Sequence, residues 1–402
     1  MTRLPPPSRF SPEFSLLLTC CRPEADPSAL ARQRSLLAQI DPERLLTLVD
    51  RHRVAPVVCH HLLRLPHADL PPALAQGLSE RHRVAVFDHL VLHRETIHLH
   101  YLLAAAGVDY VSLKGVTLGA RYFGDAGLRT SRDIDVLVAP SAVETAIASL
   151  KSAGYVPERD HGDLTPRQSR YLKSRHYDCS FLSSRTGTCV ELHWRPTANP
   201  ELLPSLVIGI DSDVIDYVAL SDISVPLLRK EELLLYLCVH GTRHCWFRLK
   251  WLFDLPVVLE SADWDWPAVL ERAEANHCSR HLALGLALAR QLCDWAALDA
   301  IAEWLSQQRI EADVEIALKA LLGPEEQTWG TLSAGVDWGR LRYHARHLTT
   351  WSGWSHGIKW IATSPNDWKL LPLPDALFPL YFPLRPALWA WRLMRQGSGR
   401  TG

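Results

Sequence analysis

Asp133 and Asp135 open the apolar run Asp-Ile-Asp-Val-Leu-Val at residues 133–138. Side chains alternate faces along a strand, so both carboxylates project from one face while Ile134 and Val136 enter a core. Two carboxylates roughly 7 Å apart at Cα can share one or two divalent cations. Upstream, Tyr110–Leu113 reads as a first strand that ends at Lys114-Gly115, and Val116–Phe123 reads as a short helix from the spacing of Val116, Leu118 and Tyr122. A glycine at such a turn lets backbone N–H groups approach a phosphate. Lys114 brings a positive charge to the turn, and Arg129, on the loop before the second strand, offers another. The string Thr-Cys-Val-Glu-Leu-His-Trp at 188–194 sets Glu191 and His193 opposite Val190 and Leu192, which makes a third carboxylate available on a neighbouring strand. Together these residue types point to a polyphosphate and a divalent metal.

A bare Asp-x-Asp is common, and this chain has two more, Asp211/Asp213 in a polar connection and Asp263/Asp265. Asp265 precedes Trp266-Pro267 and is better explained as a helix N-cap. What sets the Asp133 pair apart is its place at the head of an apolar strand, after strand, glycine turn and helix.

The elements around this unit read as helical before it and after it. Residues 1 to about 107 carry no strand signal, and Asp26-Pro27 and Asp41-Pro42 each supply an N-cap followed by proline. The apolar stretch Phe14–Cys21 is predicted as an amphipathic helix rather than a signal peptide, because it is short, abuts Glu13 and lacks a small-residue cleavage site. Pro71-Pro72 opens a longer helix reaching Gly107, with Val86, Leu90, His93, Ile97 and Tyr101 as its predicted buried stripe. His89 and His93 stand one turn apart, a metal-compatible spacing, but no H-E-x-x-H accompanies them and core packing is the expectation. After the aspartate strand, Ser141–Ala153 is predicted as a helix with a Ser141/Glu144 capping box and Gly154 at its end. His176–Leu182 and Thr188–Trp194 then read as a hairpin. From about 229 the chain returns to helix, with His240 and His244 one turn apart near Trp246, Trp251 and Asp254, and packing is again the expectation. The tail from about 336 is rich in tryptophan and proline. It is expected to form an irregular arm along the protein that ends in disorder at 397–402, with an interfacial membrane contact as the alternative.

Composition narrows the function classes. In 402 residues, 43 Lys and Arg stand against 44 Asp and Glu, so net charge gives no case for nucleic acid as the main partner. Nine cysteines without a C-x-x-C spacing argue against a disulfide framework and a zinc site, and favour a reducing cytoplasm.

The ordered set Leu-Lys-Gly at 113–115, Arg129 followed by Asp-Ile-Asp-Val-Leu-Val, Leu150-x-x-x-Gly-Tyr155 and Val-Glu-Leu-His-Trp at 190–194 resembles the uncharacterised bacterial nucleotidyltransferase family of the polymerase-β-like superfamily. The resemblance takes in most of residues 30–390, including the Leu-Cys-Val-His and Arg-Leu-Lys-Trp-Leu-Phe-Asp-Leu segments of the later helices. It implies an α+β fold, a small mixed sheet with helices, flanked by N- and C-terminal helical regions. The corresponding division is 1–95 helical, 96–200 catalytic core, 201–335 helical lobe and 336–402 C-terminal arm. The resemblance further implies that Asp133, Asp135 and Glu191 are catalytic and hold metal, two Mg2+ ions, while Lys114, Gly115, Thr117 and Arg129 surround the phosphates of an NTP donor. The acceptor stays open among small molecule, peptide or protein, and saccharide. Where the wider superfamily has Gly-Ser or Gly-Gly at the phosphate turn, this chain has Lys114-Gly115-Val116, leaving Lys114 or Thr117 to compensate. The expected activity is metal-dependent, in-line transfer of an NMP group from NTP. The alternatives are a catalytically weakened nucleotide- or partner-binding protein and a phosphotransferase.

Overall fold

The structure, a computed structural model, describes residues 10–22, 27–159, 164–206, 208, 213–261, 263–293, 295, 301–323, 338–347, 363 and 365–397. Asp26, Asp211 and the extreme C-terminus at 398–402 lie outside them.

The fold is α+β, a mixed sheet with helices on both faces. Its strands are β1 (Tyr110–Ser112), β2 (Asp133–Val138), β3 (Tyr155–Pro157), β4 (Asp178–Ser183), β5 (Cys189–His193), β6 (Ile215–Leu220) and β7 (Ile223–Leu228). They are ordered β3-β4-β5-β2-β1-β7-β6. At the centre β2 runs parallel to β5 and antiparallel to β1. Alternation along β2 separates two cores. Ile134, Val136 and Val138 join Leu99, Leu103, Ala146 and Leu150 on one face, whereas Leu137, with Val111 and Leu113 of the neighbouring strand, faces the other. That second core draws leucines and valines from the helices before the sheet, such as Leu45 and Val58, and from those after it, such as Leu234 and Leu252. The helical regions on either side in sequence therefore pack as one layer over the aspartate face.

Several local expectations hold. Asp41 caps Pro42–His52 by accepting from the Glu43 and Arg44 N–H groups. Pro72 begins a helix that runs to Ala105, and Asp265 caps Trp266–Ala275. Cys189–His193 pairs antiparallel with Asp178–Ser183 as the predicted hairpin. No helix among the described residues is long and apolar enough to cross a membrane.

Four features differ from the sequence reading. The long helix buries Leu92, Glu95, Leu99 and Leu103, while Val86, Leu90 and Tyr101 of the predicted stripe are 43, 60 and 54% exposed. Both sets have helical spacing and they lie on opposite faces, so periodicity alone does not choose between them. The sheet selects the face carrying Glu95, whose carboxylate is satisfied by the Tyr155 hydroxyl at 2.5 Å. Secondly, the helix after β2 starts at Val143 behind a 3-10 turn, with no side-chain cap bond at its N-cap, Ala142, in place of the Ser141 capping box. Thirdly, β6 and β7 extend the sheet through a parallel pairing of β7 with β1. Pro226 inside β7 masks the strand signal in the sequence. Finally, the C-terminal arm is largely helical where described, with Pro365–Leu370, a 3-10 helix at Asp375–Leu380 and Tyr381–Gly397 packing Trp368, Phe378 and Tyr381 against Tyr171 and Leu172. Pro383 falls in the first turn, where backbone N–H groups have no intrahelical acceptor, so the helix accommodates it.

Candidate active site

Parallel pairing sets Asp133 opposite Cys189, Asp135 opposite Glu191 and Leu137 opposite His193. Period-two alternation then puts Asp133, Asp135, Glu191 and His193 on one face of adjacent strands. On the other side of β2, Leu113 donates its N–H to the Asp135 carbonyl at 3.1 Å, which delivers Lys114 beside the same carboxylates. The chain turns at Gly115, whose φ of 91° lies in the region that a side chain disfavours, and the helix Val116–Tyr122 begins there.

Lys114 Nζ lies 2.7 Å from Asp135 Oδ2 and 3.6 Å from Asp133 Oδ1. His193 Nε2 lies 3.4 Å from Asp135 Oδ1 and 3.5 Å from Glu191 Oε2. Asp135, Lys114 and His193 are buried, while Asp133 and Glu191 retain about a quarter to a third of their exposure. Burial opposes ionisation of Asp135, yet Lys114 and His193 hold its carboxyl well below the usual carboxylate range. Glu191 moves the other way: contact with His193 favours its charge, but burial and the Asp135 carboxylate outweigh this and raise it. Burial disfavours the His193 cation, but Asp135 and Glu191 prevail and lift it to about 9. Two neighbouring carboxyls with pKa values driven apart are suited to different roles, one a permanent anion and the other a proton acceptor.

Facing the carboxylates across a cavity of about 520 Å3 are the helices Lys230–Arg243 and Leu249–Glu260, which contribute Tyr236, His240, Arg243, Lys250 and Trp251. His244, which follows the first helix, stacks on Trp251 at 4.8 Å and meets His240 at 4.8 Å. Burial drives both imidazoles well below their ordinary pKa, so they present neutral rings. The turn between the helices carries Cys245 and Trp246 at φ 50° and 54° and buries Trp246 completely. A Cβ on Gly241 would lie 2.5 Å from the Trp246 ring, so only glycine permits this approach. Half-buried Lys250 has no carboxylate within ion-pair distance among the described residues. Withdrawal from water and the nearby Lys114 charge bring it down to about 7.

The residues singled out in the sequence thus separate into two groups. Asp133, Asp135, Glu191 and Lys114 meet at the cavity. Thr117 is buried and donates to the Lys114 carbonyl at 3.2 Å, so its hydroxyl braces the turn. Arg129 is engaged elsewhere: Nε and Nη2 reach Asp254 at 2.7 and 2.8 Å, and Nη1 donates to the Gly115 carbonyl at 3.2 Å and to Ser131 Oγ at 3.4 Å. It ties the glycine turn to the helix that carries Lys250. His193 and Lys250 are the site residues that the sequence does not single out. His193 shares the strand face of Glu191, a signal present in the alternation, whereas nothing local marks Lys250.

The donor set fits a divalent cation. Asp135, Glu191 and His193 bring ligand atoms within 4.8 Å of one another. Both Asp135 oxygens and both His193 nitrogens are buried and lack an aligned hydrogen bond among the described residues, and the contacts Asp135 makes to Lys114 and His193 are ion pairs. The carboxylates suit Mg2+ or Mn2+, an imidazole beside them favours a transition ion such as Mn2+, and His193 must shed its proton to coordinate.

Residues 38–294, well over half of the chain, match the model of a family described as uncharacterised nucleotidyltransferase, and the chain belongs to that family. No curated protein and no solved structure matches it.

Proposed function

We propose that the protein transfers a nucleoside monophosphate from an NTP to an acceptor hydroxyl or similar group, in a polymerase-β-like site. The observation that carries this reading is the meeting of Asp133, Asp135 and Glu191 with Lys114 at one end of a cavity large enough for a nucleotide. Asp133, Asp135, Glu191 and His193 would hold one or two divalent cations, which supply charge neutralisation and alignment for in-line displacement at a phosphoryl group. Lys114 and Lys250 face the polyphosphate, and the raised Glu191 carboxyl is placed to take the acceptor proton. The stacked His244 and Trp251 offer a flat, uncharged surface for a base or for an aromatic acceptor. All nine cysteines are free thiols, which supports a cytoplasmic setting.

A second reading, nucleotide binding without transfer, is favoured by one observation: Lys114 already pairs with Asp135 and lies near Asp133. Incubation with each of four labelled NTPs and a panel of hydroxyl-bearing acceptors, followed by mass spectrometry, separates the cases. An acceptor gaining an NMP group, with pyrophosphate released, supports transfer. A gained phosphate indicates a phosphotransferase, and NTP binding without product the second reading.

A further inference from the structure

Lys114 occupies the place at the carboxylates that a bound cation would contest. Its side chain is 8% exposed, and the ammonium touches Asp135 at 2.7 Å and has Asp133 as its next anion at 3.6 Å. A divalent ion drawing on the same Asp135 oxygens takes the lysine's nearest partner and repels its charge. A buried ammonium left without an anion is strongly disfavoured. Arg129, the other buried cation at this turn, does not make the exchange, because Asp254 holds its Nε and Nη2. The facing cavity wall adds a second lysine, Lys250, with no carboxylate within ion-pair distance among the described residues, so it brings no anion to Lys114. Lys114 sits on a flexible four-carbon stem at the head of the Gly115 turn, so a polyphosphate docking there supplies the missing anion.

We propose that Lys114 couples cation and nucleotide binding by exchanging partners: it neutralises Asp135 in the empty site, and passes to the triphosphate when a divalent cation takes that carboxylate. The proposal rests on the NTP reading given above. Cation alone strands the lysine, and nucleotide alone must draw it from Asp135, so each ligand binds weakly without the other. Linkage requires the coupling to be reciprocal.

The test measures two affinities on the full chain. Mn2+ binding without nucleotide is followed by the electron-spin resonance of the free ion. Binding of the α,β-methylene analogues of ATP, GTP, CTP and UTP to Mn2+-saturated protein is followed by calorimetry. Lys114→Met is expected to bind Mn2+ about tenfold more tightly than wild type and the preferred analogue about tenfold more weakly, within the range usual for coupled sites. Opposite shifts are the signature, because a lysine that only supports the fold would loosen both ligands on removal. Unchanged or weaker Mn2+ binding overturns the proposal, as does unchanged analogue binding, which would leave Lys114 a counter-ion only. If no analogue binds wild type, the NTP reading falls and the exchange with it, while the Mn2+ measurement still decides whether Lys114 contests Asp135. Should Lys114→Met lose its circular dichroism signal, Lys114→Gln, neutral but able to donate to Asp135, carries both measurements with the same expectations.

Discussion

Two buried ion pairs flank the Gly115 turn, and they are built differently. Arg129 and Asp254 form a closed pair: two parallel contacts at 2.7 and 2.8 Å, with the remaining guanidinium nitrogen bound to Gly115 and Ser131. Lys114 and Asp135 form an open pair, in which the ammonium is shared with Asp133 and neither Asp135 oxygen has an aligned hydrogen bond among the described residues. Bidentate geometry gives Arg129 and Asp254 a fixed register, which suits a brace between sheet and helix. The open pair lines the cavity and keeps unsatisfied atoms there, an arrangement that an incoming ligand completes. Burial and opposite charge are common to both, so the satisfaction of the remaining polar atoms is what separates a structural pair from a chemical one.

The largest expected effect falls on the open pair. Asp133→Asn should abolish cation-dependent pyrophosphate release while circular dichroism stays that of the wild type, since the core-facing residues Ile134 and Val136 are untouched; Asp135→Asn should abolish it too and also lower stability, because it takes the nearest anion from buried Lys114. Full turnover in either variant would remove the metal role from β2. Next, Glu191→Gln should retain NTP binding and slow single-turnover transfer by roughly 10² to 10⁴, the range for loss of a proton-transfer group. A rate within a few-fold of wild type leaves Glu191 with no catalytic part.

Breaking the closed pair should instead register in stability. Asp254→Asn or Arg129→Met strands one buried charge and is expected to cost about 3–5 kcal/mol in denaturant unfolding. If either variant unfolds like wild type yet loses nucleotide binding, the division between the two pairs is wrong. The smallest effect concerns pH. The Lys250 pKa is lowered in the folded chain, to about 7 from 10.5. Between these values the unfolded chain binds more protons, so this residue's contribution makes stability rise with pH from about 7 to 10.5 and stay flat above. Bound phosphate favours the ammonium, so NTP affinity should fall as pH climbs past 7, with proton uptake on binding near pH 8. Lys250→Met should remove that uptake in calorimetry across buffers of different ionisation enthalpy. Unaltered uptake would show that the proton belongs to another group.

Much of the site is legible in the chain because it depends on backbone geometry spanning only a few residues. Alternation alone aligns Asp133 with Asp135 and Glu191 with His193, and the apolar residues between them mark the strands. Lys114-Gly115 reads as a turn because the conformation that Gly115 adopts, φ 91°, is one that glycine accommodates. The long helix is equally clear as a helix, but not its buried face. Apolar side chains on opposite sides compete for the sheet, and Tyr155, far along the chain, settles the matter by satisfying Glu95.

Local pattern therefore determined which segments are strand, turn and helix, and which acidic residues share a face. Tertiary structure decided the partner of each charge. Arg129 looks as available as Lys114 in the sequence, yet it is claimed by Asp254, 125 residues away. Lys250 carries no mark until the fold closes a cavity around it. The reason is physical: side-chain direction follows from neighbouring backbone torsions, whereas the state of a buried charge depends on what excludes water from it and what lies within a few ångströms, and both are set by segments distant in the chain.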